Sequence, residues 1–210
     1  MIELVERMAS ELKRFAPDHV ADPKISMFRQ FRDTRFSDDK SPMKTNIAAT
    51  FPNRVLGRMN GAGMYFEIAP GWLWIGGGLW RQDTSQVDLV PENVAANHKR
   101  LTTIVSAPRF KKIGGLQGDR FSRVPRGFAK DHPAAAFLQH RQFIAFREAP
   151  ASLAHSPQFY KQLVSTLETI APLVRFLNEP LIAAMRADRR SHLLDGLSTR
   201  REVEEYGSGH

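Results

Sequence analysis

The chain has 210 residues, 30 lysines and arginines against 22 aspartates and glutamates, and no cysteine. Such a length suits one medium domain that buries roughly 70% of its unfolded surface without a disulfide or metal staple. The composition excludes a disulfide framework, a thiol nucleophile and a cysteine-ligated metal site, and no apolar run reaches the ~18–20 residues that a bilayer span requires.

The N-terminus, Met1 to Glu6, is acidic and amphipathic and does not read as a signal peptide, so a cytoplasmic protein is expected. The net charge of +8 is uneven. Residues 24–58 carry 8 basic and 3 acidic side chains, and residues 99–147 carry 11 and 2. The excess therefore sits in two internal islands and not in a tail. Internal islands suit either one pocket or a solvated basic face.

In chain order, Val5, Met8, Leu12 and Phe15 recur at helical spacing until Pro17 stops the run. Four stretches then read as strands. They are Ile25–Phe36, Thr45–Phe51, Met64–Ile68 and Trp72–Ile75, the last running into Gly76-Gly77-Gly78. Turn residues at Asn60-Gly61 and Pro70-Gly71 make the connections short, which favours antiparallel neighbours. Val94, His98, Leu101 and Val105 share a helical face after Pro91. A glycine- and arginine-rich stretch follows from Lys111 to Gly127, and Asp131 is placed to cap a short helix through His140.

Gln142–Glu148 is a fifth candidate strand. Tyr160, Leu163, Leu167, Ile170, Val174 and Leu177 form a long apolar helical stripe, with Pro172 and Pro180 expected to kink or end it. Arg186 to His210 is charged and weakly periodic, and Gly207-Ser208-Gly209-His210 reads as a linker with a tag remnant. The pattern predicts an α+β fold, an antiparallel meander of about five strands with helices packed on one face. One domain over residues 1–187 and a charged tail over 188–210 are expected.

No phosphate-binding loop, dinucleotide fingerprint, zinc-protease helix motif or nucleophile elbow is present. The histidines are scattered and read individually as surface or capping residues. No metal ligand set stands out, and no cofactor is indicated.

Residues 28–46 carry the most chemistry. In an extended Phe28–Phe36, Phe28, Arg32 and Phe36 share one face, and Arg29, Phe31, Asp33 and Arg35 share the other. Arginine offers a planar fork to phosphate or carboxylate, and lysine a point charge. Arg32, Arg35, Lys40, Lys44 and Asn46 are thus candidate anion contacts, with Asp33 as an orienting group or base. Mutual pairing of these charges in a surface network is the structural alternative.

Pro125-Arg126-Gly127 is a turn that would present Arg126, with Arg123 nearby. His132 is a candidate acid–base, since histidine titrates near neutrality. Tyr65 and Glu67, on the face opposite Met64 and Phe66, would complete a pocket. The Gly76-Gly77-Gly78 run reads more readily as a site where side chains do not fit than as a ligand approach.

The segment from Phe28-Arg29 through Arg32-Asp33, Arg35-Phe36-Ser37, Asp39-Lys40, Pro42 and Lys44-Thr45-Asn46 resembles the signature of the domain of unknown function 2461 family. Four further elements match in order: Tyr65 to Gly71, Gly76 to Trp80, Arg123 to Phe128 with Asp131-His132-Pro133, and Pro172 to Asn178. Gln30, Phe31 and Met43 stand where that family more often has an aliphatic residue and two tyrosines. Met64 and Glu67 replace a frequent tyrosine and a histidine or glutamine. The resemblance implies fold kinship and a residue short-list, not a reaction.

Three functional readings follow, in order of preference. The first is binding, with or without processing, of a small anionic, phosphate-bearing ligand in an arginine- and lysine-lined pocket. Asp33, Glu67 and His132 would supply acid–base groups, and Arg32, Arg35, Lys40, Lys44, Asn46, Tyr65, Arg123 and Arg126 the binding groups. The second is a nucleic-acid-binding module on a basic stripe. The third is a protein-interaction domain without catalysis. No reading involves a membrane, and the sequence sets no oligomeric state.

Overall fold

A computed structural model describes residues 1–31, 42–58, 60–80 and 88–207, with side chains described through residue 191. Four strands form one antiparallel sheet in the order β1-β2-β3-β4: Ile47–Phe51, Gly63–Ala69, Trp72–Leu79 and Phe143–Pro150. The β2–β3 hairpin closes on Pro70-Gly71, where Ala69 pairs with Trp72 and Gly71 takes φ +92°. A side chain at that φ would be strained, so glycine suits the turn.

The α+β meander expected from the sequence is present, with one strand fewer among the described residues. Within Ile25–Phe36, the described part does not form a strand. Asp22 accepts a hydrogen bond from the Lys24 amide at 2.8 Å, and Pro23 opens the short helix α2 (Pro23–Ser26). A cap followed by proline at the first helical position is a helix start, and it overrides the aromatic pattern downstream. Met27 then makes only an isolated bridge to Ala49.

One face of the sheet is sealed by α7 (Phe159–Gly207), with α1 (Ile2–Phe15), α3 (Leu89–Ala96), α4 (His98–Ser106) and α5 (Pro108–Lys112) around it. Val5, Met8 and Leu12 enter this core, as their spacing predicted. So do Phe66, Leu73, Ile75, Leu163, Leu167, Ile170, Val174 and Leu177, all buried. The glycine run of β3 is explained by packing. A Cβ at Gly77 would lie 2.7 Å from the Gly63 carbonyl oxygen and 3.1 Å from Ile170 Cγ2. On the other face, a Cβ at Gly76 would strike Trp74 and Phe146.

α7 does not stop at Pro172 or Pro180 but passes through both and continues to Gly207. A helical proline lacks an N–H and strands the carbonyl four residues earlier. For Pro180 that carbonyl belongs to Phe176, and Asn93 Nδ2 on α3 donates to it at 3.1 Å. A side chain from a neighbouring helix thus replaces the missing donor. Two residues further on, the buried Asn178 exchanges hydrogen bonds with the backbone of Ala62, donating to its carbonyl at 2.9 Å and accepting from its amide at 2.8 Å.

These contacts make two expectations. Gly77→Ala should destabilise the fold by about 1–3 kcal/mol in urea denaturation, because backbone on one side and Ile170 on the other leave little room for a methyl group. Asn93→Ala should cost about 1 kcal/mol, and a double-mutant cycle with Pro180→Ala should recover most of it, since alanine restores the helical donor.

Candidate functional site

A cleft of about 540 Å³ opens at the end of the sheet where β3 leaves and β4 enters. Its shape depends on the arginine-rich segment that precedes β4. Gln117 exchanges backbone hydrogen bonds with Ile144 at 2.7 and 3.4 Å, the Arg141 amide donates to the Asp119 carbonyl at 2.8 Å, and Phe121 donates to Gln139 at 2.7 Å. Gln117 Nε2 also donates to the Phe146 carbonyl at 3.1 Å. A Cβ at Gly118 would lie 2.8 Å from Gln142, so only glycine lets the segment lie this close. The result covers the open edge of β4, which would otherwise expose unpaired backbone.

This docking brings Asp119, Phe121, Arg126, His140 and Arg141 to one lining, together with Trp80 and Asp88. The Arg141 guanidinium lies over the Phe121 ring, 5.4 Å from its centroid. His140 is only 3% exposed, and its Nδ1 has no hydrogen-bond partner. Burial, with a lesser push from the Arg120 charge, lowers its pKa to about 4, so the imidazole is neutral near pH 7. In the sequence His140 is only one of several scattered histidines. The available signal was its position between the apolar Leu138 and the start of a strand, next to Arg141 in the basic island.

A second constellation lies on the sheet face away from the helices. Glu67 accepts from Tyr65 Oη at 2.5 Å on one carboxylate oxygen and from Asn46 Nδ2 on the other. Burial first, then the Glu67 carboxylate, raises the Tyr65 pKa, so the phenol stays protonated and donates. The Tyr65 ring lies edge-on to Phe28 and Trp74, at 5.8 and 5.5 Å, and Trp74 stacks on Phe146 at 4.8 Å. Both Glu67 oxygens are engaged, so acting as a base would require displacing one of these donors.

The structure therefore unites Asn46, Tyr65 and Glu67 at one place and puts Arg126 at another. Lys44 is half-buried and its amide donates to the Gln30 carbonyl at 2.8 Å. Arg123 is exposed and does not line the cleft. His132 caps locally, its Nδ1 accepting from the Ala134 amide at 3.0 Å, and its ring meets His98 edge-on at 6.0 Å. Asp131, expected as the cap of the helix through His140, does not play that part. The helix α6 is short (Ala135–Leu138), and its N-cap residue is Ala134. Arg32, Asp33, Arg35 and Lys40 lie outside the described residues. Among the described residues, no group of three histidines or carboxylates is placed to hold a metal ion, and no helix is long and apolar enough to cross a membrane.

The fold and this lining define an α+β protein with a mixed-charge, aromatic-walled cleft at one end of its sheet. The chain belongs to the conserved hypothetical protein family DUF2461, whose model matches residues 1–176. Comparison with curated proteins and with solved structures gives no match.

The state of His140 sets a pH dependence. The native ring resists protonation down to about pH 4, whereas the unfolded chain takes up the proton near the ordinary value of 6.5. Lower pH therefore favours unfolding. On the order of 3 kcal/mol of stability should be lost between those limits. Denaturation midpoints measured across this window should flatten in His140→Phe relative to the parent chain.

Proposed function

We propose that this protein binds a small anionic, phosphate-bearing ligand in the cleft at the end of the sheet, with Arg126 as the anion contact. The observation that carries the reading is Arg126 itself. A cation singled out from its Pro-Arg-Gly turn lies in the lining of a concave site alongside Arg141 and the aromatic side chains Trp80, Phe121 and Phe128. Arginine's planar fork suits phosphate oxygens, and a cleft of this size suits a metabolite. Asp88 and Asp119 share the lining. A bare anion would gain little from them, so the ligand is one that also presents hydroxyl or amine donors.

The test is a thermal-shift screen against inorganic phosphate and phosphorylated metabolites. A ligand at 100 times its dissociation constant should stabilise the chain by about 2.7 kcal/mol. Arg126→Ala should remove the shift while leaving the unliganded melting temperature nearly unchanged, because Arg126 is exposed. Absence of any shift, or an equal shift in the variant, would count against the reading.

A further inference from the structure

Beyond the cleft, we infer that the edge of the sheet beside β4 is a docking strip for single-stranded nucleic acid, with phosphates held by Lys111, Lys112, Arg120, Arg123 and Arg147. Backbone contacts set these cations in a row. Lys111 and Lys112 end α5. Just beyond them, a Cβ at Gly114 would lie 3.0 Å from the Phe146 carbonyl oxygen, which brings the end of α5 beside Arg147. The chain then runs antiparallel to β4. Gln117 bridges to Ile144 and Arg120 to His140. The Phe121 amide donates to the Gln139 carbonyl at 2.7 Å, and Arg123 follows in the chain. From Arg147 to His140 an extended chain advances roughly 20 Å. All five cations are exposed, and their long stems let heads from either face of the ribbon reach its edge.

The second observation is that this charge is uncompensated. Among the described residues, none of the five side chains has a hydrogen-bond or ion-pair partner. Asp119 and Glu148 are the acids of this edge, and neither pairs with them. Several arginines elsewhere are engaged. Arg14 pairs with Glu11 and Glu168, Arg100 with Glu179, and Arg7 and Arg58 lie over the Tyr160 and Phe28 rings at 4.0 Å. Like charges held along one edge repel, and a phosphate chain relieves this while releasing its own counterions.

The form of the strip selects the partner. A row of cations matches a linear polyanion better than one compact anion. Phe121, next to Arg120 in the chain, is 48% exposed, and the Arg141 guanidinium lies 5.4 Å from its ring centroid. A base stacks on such a ring, and a single strand frees its bases where a duplex does not.

The experiment is fluorescence anisotropy of the full chain with a labelled mixed-sequence oligonucleotide, single-stranded and as its duplex. About five phosphate contacts, at about 0.7 each in the logarithmic salt slope, give a roughly hundredfold loss of affinity between about 50 and 200 mM salt. Lys111→Ala, Lys112→Ala and Arg147→Ala combined should weaken the single strand about tenfold or more at low salt and lower the slope by about 2. Lys13→Ala, Lys24→Ala and Lys161→Ala combined remove the same charge from exposed positions off the edge and should leave affinity nearly unchanged. Phe121→Ala should weaken the single strand about tenfold and the duplex little. The thermal shift with phosphate depends on Arg126 and should survive both triple substitutions, so the strip and the cleft can fail separately.

No binding at low salt, or an equal loss in both triple variants, would overturn the strip. A duplex bound as tightly as the single strand, with Phe121→Ala altering neither, would overturn the single-stranded partner.

Discussion

The close approach of α7 to β3 at Gly77 governs how the rest of the molecule is put together. A glycine there lets Ile170 sit against the strand backbone, so the helix lies flat on the sheet. Once α7 is seated, its polar side chains reach the other elements. Asn178 holds Ala62 in the connection before β2, and Arg175 donates to the Phe15 carbonyl at the end of α1. Arg100 of α4 forks onto Glu179 with two contacts of 2.6 Å. The exposed ion pair is worth at most about 1 kcal/mol, whereas the buried amide exchange at Asn178 leaves two backbone groups orphaned if it is lost. The inward hydrogen bonds, not the surface charges, therefore fix the register of helix on sheet.

Sealing one face with helices leaves the sheet two places to present chemistry, its outer face and its ends. The outer face carries the Phe28, Tyr65, Trp74 and Phe146 rings around Glu67, with Arg58 over Phe28 at 4.0 Å. Its polar atoms are largely spent on one another. The end of the sheet differs. There a segment that runs beside β4 without becoming a regular strand leaves Phe121 exposed and His140 buried.

How much of this was legible in the sequence follows from the range of the determining contacts. β1 and β2 were readable from alternation and β3 from its apolar run, with the Asn60-Gly61 and Pro70-Gly71 turns as local signals, and the opposite facing of Tyr65 and Met64 came with them. The continuity of α7 was not readable, because the donor that rescues the Phe176 carbonyl comes from Asn93 on another helix. The supposed strand at Ile25 failed on a local signal that was present, the Asp22-Pro23 start. Arg126 was visible from its turn. His140 was not, since its burial arises only when residues 117–121 lie against β4. Clusters of like residues suggested the cations as one site, but proximity in sequence does not set proximity in space, and the structure puts Arg126 apart from Lys44.

The charge islands take on a different meaning in three dimensions. Residues 99–147 hold most of the positive excess, yet the cleft lining sets Arg126 and Arg141 against Asp88 and Asp119. Arg109, Lys111, Lys112, Arg120, Arg123 and Lys130 of the same island are exposed. The cleft lining is thus balanced in formal charge, while these other cations of the island face solvent. The outer charges raise encounter and weaken with salt. Contacts inside the cleft depend on the placement of donors, acceptors and rings, which salt screens far less.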